Sequence, residues 1–133
     1  MTDPVASRKN IILIVDDEQI ILRLATTAIA EAGFRAAVAE NGAAGLECYL
    51  KLKDEICLVL ADVLMPTVTG IEMAERILGI DPNAKIVLMS GYSDAVLQTQ
   101  EHKPALPFIR KPFLSDDLIQ KIRFVLGAAV AAP

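Results

Sequence analysis

Five short apolar runs recur along the chain, separated by longer segments of mixed polarity. Within most of them apolar residues follow one another without the alternation of a half-exposed strand, which is typical of strands buried on both faces of a parallel sheet. The predicted strands span residues 11–15, 34–39, 57–61, 85–89 and 106–110.

Each strand is followed by a segment with helical spacing of apolar residues, at 18–32, 42–53, 70–79, 93–102 and 115–126. Strictly alternating strands and helices favour right-handed crossovers around one sheet. The predicted fold class is therefore α/β, a single doubly wound (βα)5 sandwich of the flavodoxin-like kind with a five-stranded parallel sheet in the order 2-1-3-4-5. We expect this domain to span residues 10–127, with flexible tails at 1–9 and 128–133.

The helical spacing also predicts helix ends and the residues that face the core. Gly33 should end the first helix in a left-handed conformation, and Ser115 should cap the fifth helix at its N-terminus. The predicted inward residues are Ile21, Leu24, Ala25, Ala28 and Ala32 in the first helix, and Ala43, Leu46 and Leu50 in the second.

Composition narrows the class of protein. Of the 133 residues, 53% are hydrophobic and 23% charged, which is typical of a globular domain. The net charge of −4 argues against a direct nucleic-acid surface, and no apolar run approaches the ~18 residues of a membrane span, so we expect no membrane insertion. Two cysteines in a chain without a signal-peptide pattern favour reduced thiols and a cytoplasmic location.

Polar side chains follow four of the predicted strands at the point where each strand ends. Asp16 and Asp17 come after the first strand, Asp62 after the third, Ser90 after the fourth and Lys111 after the fifth. In open α/β sheets the carboxyl ends of the strands meet at one edge, where ligands bind. Three carboxylates, a hydroxyl and an ammonium group at this edge predict a phosphorylation site.

The same segments carry a resemblance to a known family. The chain resembles the receiver domain of two-component response regulators, of the CheY-like superfamily, over residues 10–126. Each segment alone is common, but the four together in this order are specific. They are Val15-Asp16-Asp17-Glu18, Ala61-Asp62-Val63-Leu64-Met65-Pro66 followed by Gly70, Met89-Ser90-Gly91, and Arg110-Lys111-Pro112-Phe113.

The resemblance implies that Asp62 is the phospho-acceptor. It further implies that Mg²⁺ is held by Asp16, Asp17 and Asp62, with the backbone carbonyl of Leu64 as another ligand. Mg²⁺ prefers such oxygen ligands, and charge neutralisation is what phosphoryl transfer to a carboxylate requires.

Further roles follow from the same resemblance. Ser90 and Lys111 would contact phosphoryl oxygens, and Ser90 with Phe108 would form a switch that responds to phosphorylation. The Lys111-Pro112 peptide bond would be cis. Leu64, Gly91 and Tyr92 would flank the phosphoryl group and control the access of water.

The expected function is a signalling switch. A histidine kinase or histidine phosphotransfer protein would phosphorylate Asp62, and the face formed by the fourth helix, fifth strand and fifth helix would then change its binding to a downstream effector protein. Such a domain assists its own phosphorylation and dephosphorylation and is not an enzyme that turns over an external substrate. The alternative is that the chain is a receiver module from a hybrid sensor kinase or a larger response regulator.

Other functions fit the sequence less well. A Mg²⁺-dependent phosphohydrolase with an aspartyl nucleophile needs a DxDx motif after the first strand, where this chain has Asp16-Asp17-Glu18-Gln19. A flavodoxin needs a phosphate-binding loop rather than acids there. Taken singly, the acids at 16–18 could simply cap the first helix, Ser90 could be a turn residue and Phe108 a core aromatic.

Overall fold

The computed structural model describes residues 9–91 and 106–127. Residues 1–8 of the predicted N-terminal tail, the predicted tail at 128–133, the predicted helix 93–102 and Tyr92 lie outside the described residues. Within them, five parallel strands form one sheet in the order β2-β1-β3-β4-β5, which confirms the predicted topology. The strands are β1 (Ile11–Val15), β2 (Arg35–Ala39), β3 (Ile56–Asp62), β4 (Ile86–Ser90) and β5 (Phe108–Arg110).

Helices cover both faces of this sheet. The described helices are α1 (Gln19–Glu31), α2 (Gly42–Leu52), α3 (Gly70–Ile80) and α4 (Ser115–Leu126), of which α4 is the fifth helix of the sequence prediction. α1 packs with α4 on one face, and α2 packs with α3 on the other. Among the described residues, none of the helices has both the length and the apolar character needed to cross a membrane.

The sheet lies between two apolar cores because successive strand residues point to opposite faces. Ile12 and Ile14 belong to the core under α1 and α4, whereas Leu13 and Val15 belong to the core under α2 and α3. Every residue of β1 is buried, as expected for a strand covered on both sides. Full burial of each large aliphatic side chain stabilises the fold by about 1.5–3 kcal/mol relative to exposure.

Two of the predicted helix faces need correction. In α1 the buried residues are Leu22, Ala25, Ala28 and Ile29, while Ile21 and Leu24 are only partly buried. In α2 the prediction was wrong for Ala43 and Leu50, which are exposed, whereas Leu46 is partly buried and packs against the core. The buried residues of this helix are Gly42, Gly45 and Tyr49.

Helix ends also differ in part from the prediction. Gly33 follows α1 with φ of +99°, and Phe34 N–H donates to the carbonyl of Ile29, which confirms the left-handed ending. The N-cap of α4 is Leu114 rather than Ser115, and this cap makes no side-chain hydrogen bond. Ser115 already has helical geometry and is the first residue of the helix.

The link from β3 to α3 is held tightly beside the carboxyl end of β3. Thr69 and Glu72 form a capping box, in which each side chain bonds the other residue's backbone N–H. Gly70 lies so close to the chain that an added β-carbon would overlap the carbonyl oxygen of Asp62. This junction therefore fixes the backbone at Asp62 from the α3 side.

Candidate phosphorylation site

Three aspartates lie together at the carboxyl edge of the sheet. β1 and β3 are parallel neighbours with Val15 opposite Ala61, so Asp16 and Asp62 follow at the same level. Both are buried, with 0% and 5% exposure, whereas Asp17 is exposed. Each of the three offers a carboxylate oxygen within 4.8 Å of the others, so the structure brings together the predicted acidic cluster.

The Lys111 ammonium group lies against this cluster. Its Nζ is 2.8 Å from Asp16 Oδ2, 2.8 Å from Glu18 Oε1 and 3.3 Å from Asp62 Oδ2. The side chain is only 10% exposed, and the Lys111 backbone N–H donates to the carbonyl of Ser90 at 2.7 Å. The end of β4 therefore anchors the lysine that faces the aspartates.

Backbone amides orient the two buried carboxylates. Glu18 N–H donates to Asp16 Oδ1 at 2.8 Å, and Leu64 N–H donates to Asp62 Oδ1 at 3.2 Å. In both cases the donor lies two residues after the aspartate, so a short local turn sets the direction of each carboxylate.

Burial dominates the titration of the cluster. Burial and, after it, the nearby Asp16 charge together raise the pKa of Asp62 from 3.8 to about 6, although Lys111 opposes the shift. Burial likewise raises the pKa of Asp16. Burial alone would lower the pKa of Lys111, but the close carboxylates of Asp16 and Glu18 and the charge of Asp62 raise it above its ordinary value.

One buried oxygen in the cluster lacks a hydrogen bond. Asp16 Oδ2 is close enough to Lys111 Nζ for an ion pair, but the angles of this contact do not make a hydrogen bond. A buried carboxylate oxygen without a donor, next to two further carboxylates, is suited to a cation that prefers oxygen ligands. The cluster Asp16, Asp17 and Asp62 therefore fits Mg²⁺.

The other predicted site residues surround the same edge, where a cleft of about 640 Å³ includes Asp62, Leu64, Gly91 and Lys111 in its lining. Ser90 is the buried last residue of β4, and Leu64 is 45% exposed beside the cleft.

The residues around β5 complete this edge. Phe108 is partly buried at the start of the strand and packs against the core under α2 and α3. The Lys111-Pro112 peptide bond is cis, as the resemblance implied.

A sequence model described as the response regulator receiver domain matches residues 12–123. The chain belongs to this family. Receiver domains are components of two-component signalling, and they are phospho-acceptors rather than enzymes that turn over a substrate. Family membership therefore confirms that the chain is a component of two-component signalling and a phospho-acceptor. The aspartate cluster is the acidic triad of a receiver phosphorylation site.

Individual relatives support the assignment. The receiver is 33% identical to the response regulator receiver protein CpdR of Brucella abortus over 120 residues, which cover 89% of this chain and 98% of CpdR. It also resembles TrrA of Thermotoga maritima, solved with Mg²⁺ and beryllium fluoride, at 31% identity and a TM-score of 0.78, covering 87% and 98% of the two chains. For CheY in the Borrelia burgdorferi CheX-CheY-BeF3-Mg²⁺ complex the identity is 26% and the TM-score 0.80, covering 89% and 90%.

Sequence reasoning missed the place of Glu18 in this receiver. The sequence suggested a cap for the first helix, and Glu18 is indeed the N-cap of α1, but its side chain makes no capping hydrogen bond. Its carboxylate instead bonds Lys111, which is 93 positions away in the sequence. The one feature of the sequence that could have indicated this contact is that the predicted site holds several acidic residues and a single lysine.

Proposed function

We propose that this receiver is a phosphorylation-activated switch in which Asp62 accepts a phosphoryl group from a histidine kinase or histidine phosphotransfer protein. The observation that carries the proposal is the position of Asp62, buried at the carboxyl edge of the sheet between Asp16 and Lys111 and opening on a cleft. A phosphohistidine side chain can approach through this cleft.

In the transfer, a carboxylate oxygen of Asp62 attacks the phosphorus. The new P–O bond forms as the P–N bond to the donor histidine breaks, and the electron pair of that bond returns to the imidazole. The Leu64 N–H orients the attacking carboxylate, and Lys111 and Ser90 receive the phosphoryl oxygens. Catalysis by such a site is mainly positioning and charge compensation.

The proposal includes Mg²⁺ as cofactor. Asp16, Asp17 and Asp62 would hold the ion, with the backbone carbonyl of Leu64 as a further ligand. When bound, Mg²⁺ supplies positive charge that offsets the negative charge of the phosphoryl oxygens. The presence of Mg²⁺ with beryllium fluoride in the structures of TrrA and the Borrelia CheY supports this choice.

The output of the switch would be a change in binding to a downstream effector protein. Ser90 and Phe108 are the proposed switch residues, and the responding face would comprise β5, α4 and the segment predicted as the fourth helix. On this face Phe124 of α4 is 80% exposed, which suits a protein contact. Leu64, Gly91 and Tyr92 would control the access of water to the phosphoryl group.

We place the functional domain at residues 10–127 and its action in the cytoplasm, where its free thiols, Cys48 and Cys57, would stay reduced. The chemistry is the same whether the receiver acts alone or as a module of a hybrid sensor kinase or larger regulator.

Phosphotransfer from a labelled phosphohistidine donor tests the proposal. We expect label to pass from a histidine phosphotransfer protein to the wild type in the presence of Mg²⁺ and to stop when EDTA is added. Asp62→Asn should receive no label, whereas Asp54→Asn, which removes an exposed carboxylate in the turn after α2, should behave as the wild type. Equal labelling of Asp62→Asn would contradict the assignment.

A further inference from the structure

The Glu18 carboxylate accepts a hydrogen bond from Lys111, and this contact has no part in the proposed phosphotransfer. Lys111 Nζ donates a hydrogen bond to Glu18 Oε1 at 2.8 Å. Its contact with Asp62 Oδ2 is longer, at 3.3 Å, and its contact with Asp16 Oδ2 lacks hydrogen-bond angles. Among the described residues, this ammonium group thus makes its hydrogen bond to Glu18, and its contact with the acceptor carboxylate is the longest of its three ion pairs.

We propose that Glu18 restrains Lys111 in the unphosphorylated protein, so that the Glu18 carboxylate and the incoming phosphoryl group compete for the same ammonium group. This inference rests on the proposed function, because it assumes that Lys111 turns to the phosphoryl group on Asp62. Glu18 is then a positioning residue that sets how readily the site accepts a phosphoryl group.

The local structure of Glu18 supports this role. Glu18 is the N-cap of α1, but its side chain makes no capping hydrogen bond. Its backbone N–H is bonded to Asp16 Oδ1 at 2.8 Å, which holds the residue beside the cluster. The side chain therefore bonds Lys111 without losing a capping bond, and a substitution at Glu18 leaves the backbone bond in place.

The restraint is weak enough to be displaced. The Glu18 side chain is 60% exposed, so its carboxylate regains water when Lys111 leaves. Solvent-exposed ion pairs contribute little, and by the same measure we expect loss of this half-exposed pair to change an equilibrium constant by about fivefold at most. We therefore expect Glu18 to tune phosphorylation rather than to prevent it.

Binding of beryllofluoride with Mg²⁺, followed by amide NMR, tests the inference in the full chain. Glu18→Gln should tighten binding by about twofold to fivefold, because the phosphoryl mimic no longer displaces a carboxylate from Lys111. Glu18→Asp keeps the charge on a shorter side chain, which withdraws it from Nζ, and should give most of the same gain. The matched control is Glu31→Gln, which removes an exposed acid at the other end of α1 and should leave the affinity unchanged.

A second measurement reports on the contact itself. In the absence of beryllofluoride, the exchange of the Lys111 ammonium protons with water should be faster in Glu18→Gln than in the wild type, and addition of beryllofluoride should remove this difference.

The outcomes separate the two proposals. Unchanged affinity and exchange in Glu18→Gln, or an equal gain in Glu31→Gln, would overturn the restraint while leaving the switch intact. A gain in beryllofluoride affinity in Glu18→Gln but not in Glu18→Asp would mean that the negative charge acts at a distance and that the contact with Lys111 has no effect. This result would also overturn the restraint. Failure of the wild type to bind beryllofluoride would overturn the proposed function and this inference together.

Discussion

Replacing Asp62 by asparagine should stabilise the metal-free protein. Asp62 is 5% exposed and lies beside a second buried carboxylate, so its charged form is disfavoured in the folded state despite the nearby Lys111. Asparagine has almost the same shape and carries no charge. Lys111 keeps its contacts with Asp16 and Glu18 in the variant.

The size and pH dependence of this effect follow from the pKa. Burial, with the charge of Asp16, raises the pKa of Asp62 from 3.8 to about 6 in the folded protein. The folded state then binds more protons than the unfolded state between these values, so wild-type stability falls as pH rises through this window. A shift of roughly two units corresponds to about 3 kcal/mol, fully expressed above the folded pKa and absent below the unfolded one.

Urea unfolding in EDTA from pH 4 to pH 8 measures this difference. We expect Asp62→Asn to match the wild type near pH 4 and to exceed it by up to about 3 kcal/mol near pH 7. The control Asp54→Asn alters an exposed carboxylate and should stay within about 0.5 kcal/mol of the wild type throughout. A variant no more stable than the wild type at pH 7, or a gain that does not change with pH, would refute the reasoning.

Mg²⁺ should remove most of this difference at pH 7. An ion that binds only the folded state at about 100 times its dissociation constant adds about 2.7 kcal/mol, and Asp62→Asn should lose much of that gain. A wild-type unfolding midpoint that does not respond to Mg²⁺ would contradict the proposed metal site.

Four further variants test other parts of the account. Leu64→Asn places a hydrogen-bonding side chain beside Asp62 and should shorten the lifetime of the phosphoryl group by up to about 10²-fold in a label-decay assay; an unchanged lifetime would contradict the role of Leu64. Gly70→Ala should strongly destabilise the fold in urea unfolding, because its β-carbon would meet the Asp62 carbonyl. Gly79→Ala in the same helix meets open space and should stabilise the fold by about 0.5–1 kcal/mol. Equal effects of the two substitutions would contradict the close approach at Gly70. Thr67→Gly should relieve a φ of +68° and stabilise by about 1 kcal/mol, and a loss of stability would count against strain at this turn.

The fold could be predicted because the strands are uniformly apolar and the chain alternates regularly. β1 and β3 are buried almost throughout, so hydrophobicity alone located them. The face of α2 could not be found in this way, because Gly42 and Gly45 carry no hydrophobic side chain. A β-carbon at Gly45 would crowd Met73 and Val15, so close packing requires glycine at this position. A hydropathy pattern predicts a large apolar residue on a buried helix face and therefore misses it.

The site could be predicted only as far as strand ends determine position. Asp16 and Asp62 follow neighbouring strands, so parallel pairing alone brings them together. The bond from Lys111 to Glu18 depends on how a long, flexible side chain crosses the edge of the sheet, which neither spacing nor residue type indicates. The predicted N-cap of α4 was wrong for a related reason. The N-cap is Leu114, which has no polar side chain by which the sequence could indicate it.

The central claim is that Asp62 is the phospho-acceptor, and chemical mapping of the phosphorylated residue tests it most directly. The protein is phosphorylated with acetyl phosphate and Mg²⁺, the acyl phosphate is reduced with borohydride, and the resulting homoserine is located by peptide mass spectrometry. We predict homoserine at position 62 and at no other aspartate. Homoserine at Asp16 or Asp17 instead, or phosphorylation that persists at another residue in Asp62→Asn, would contradict the account.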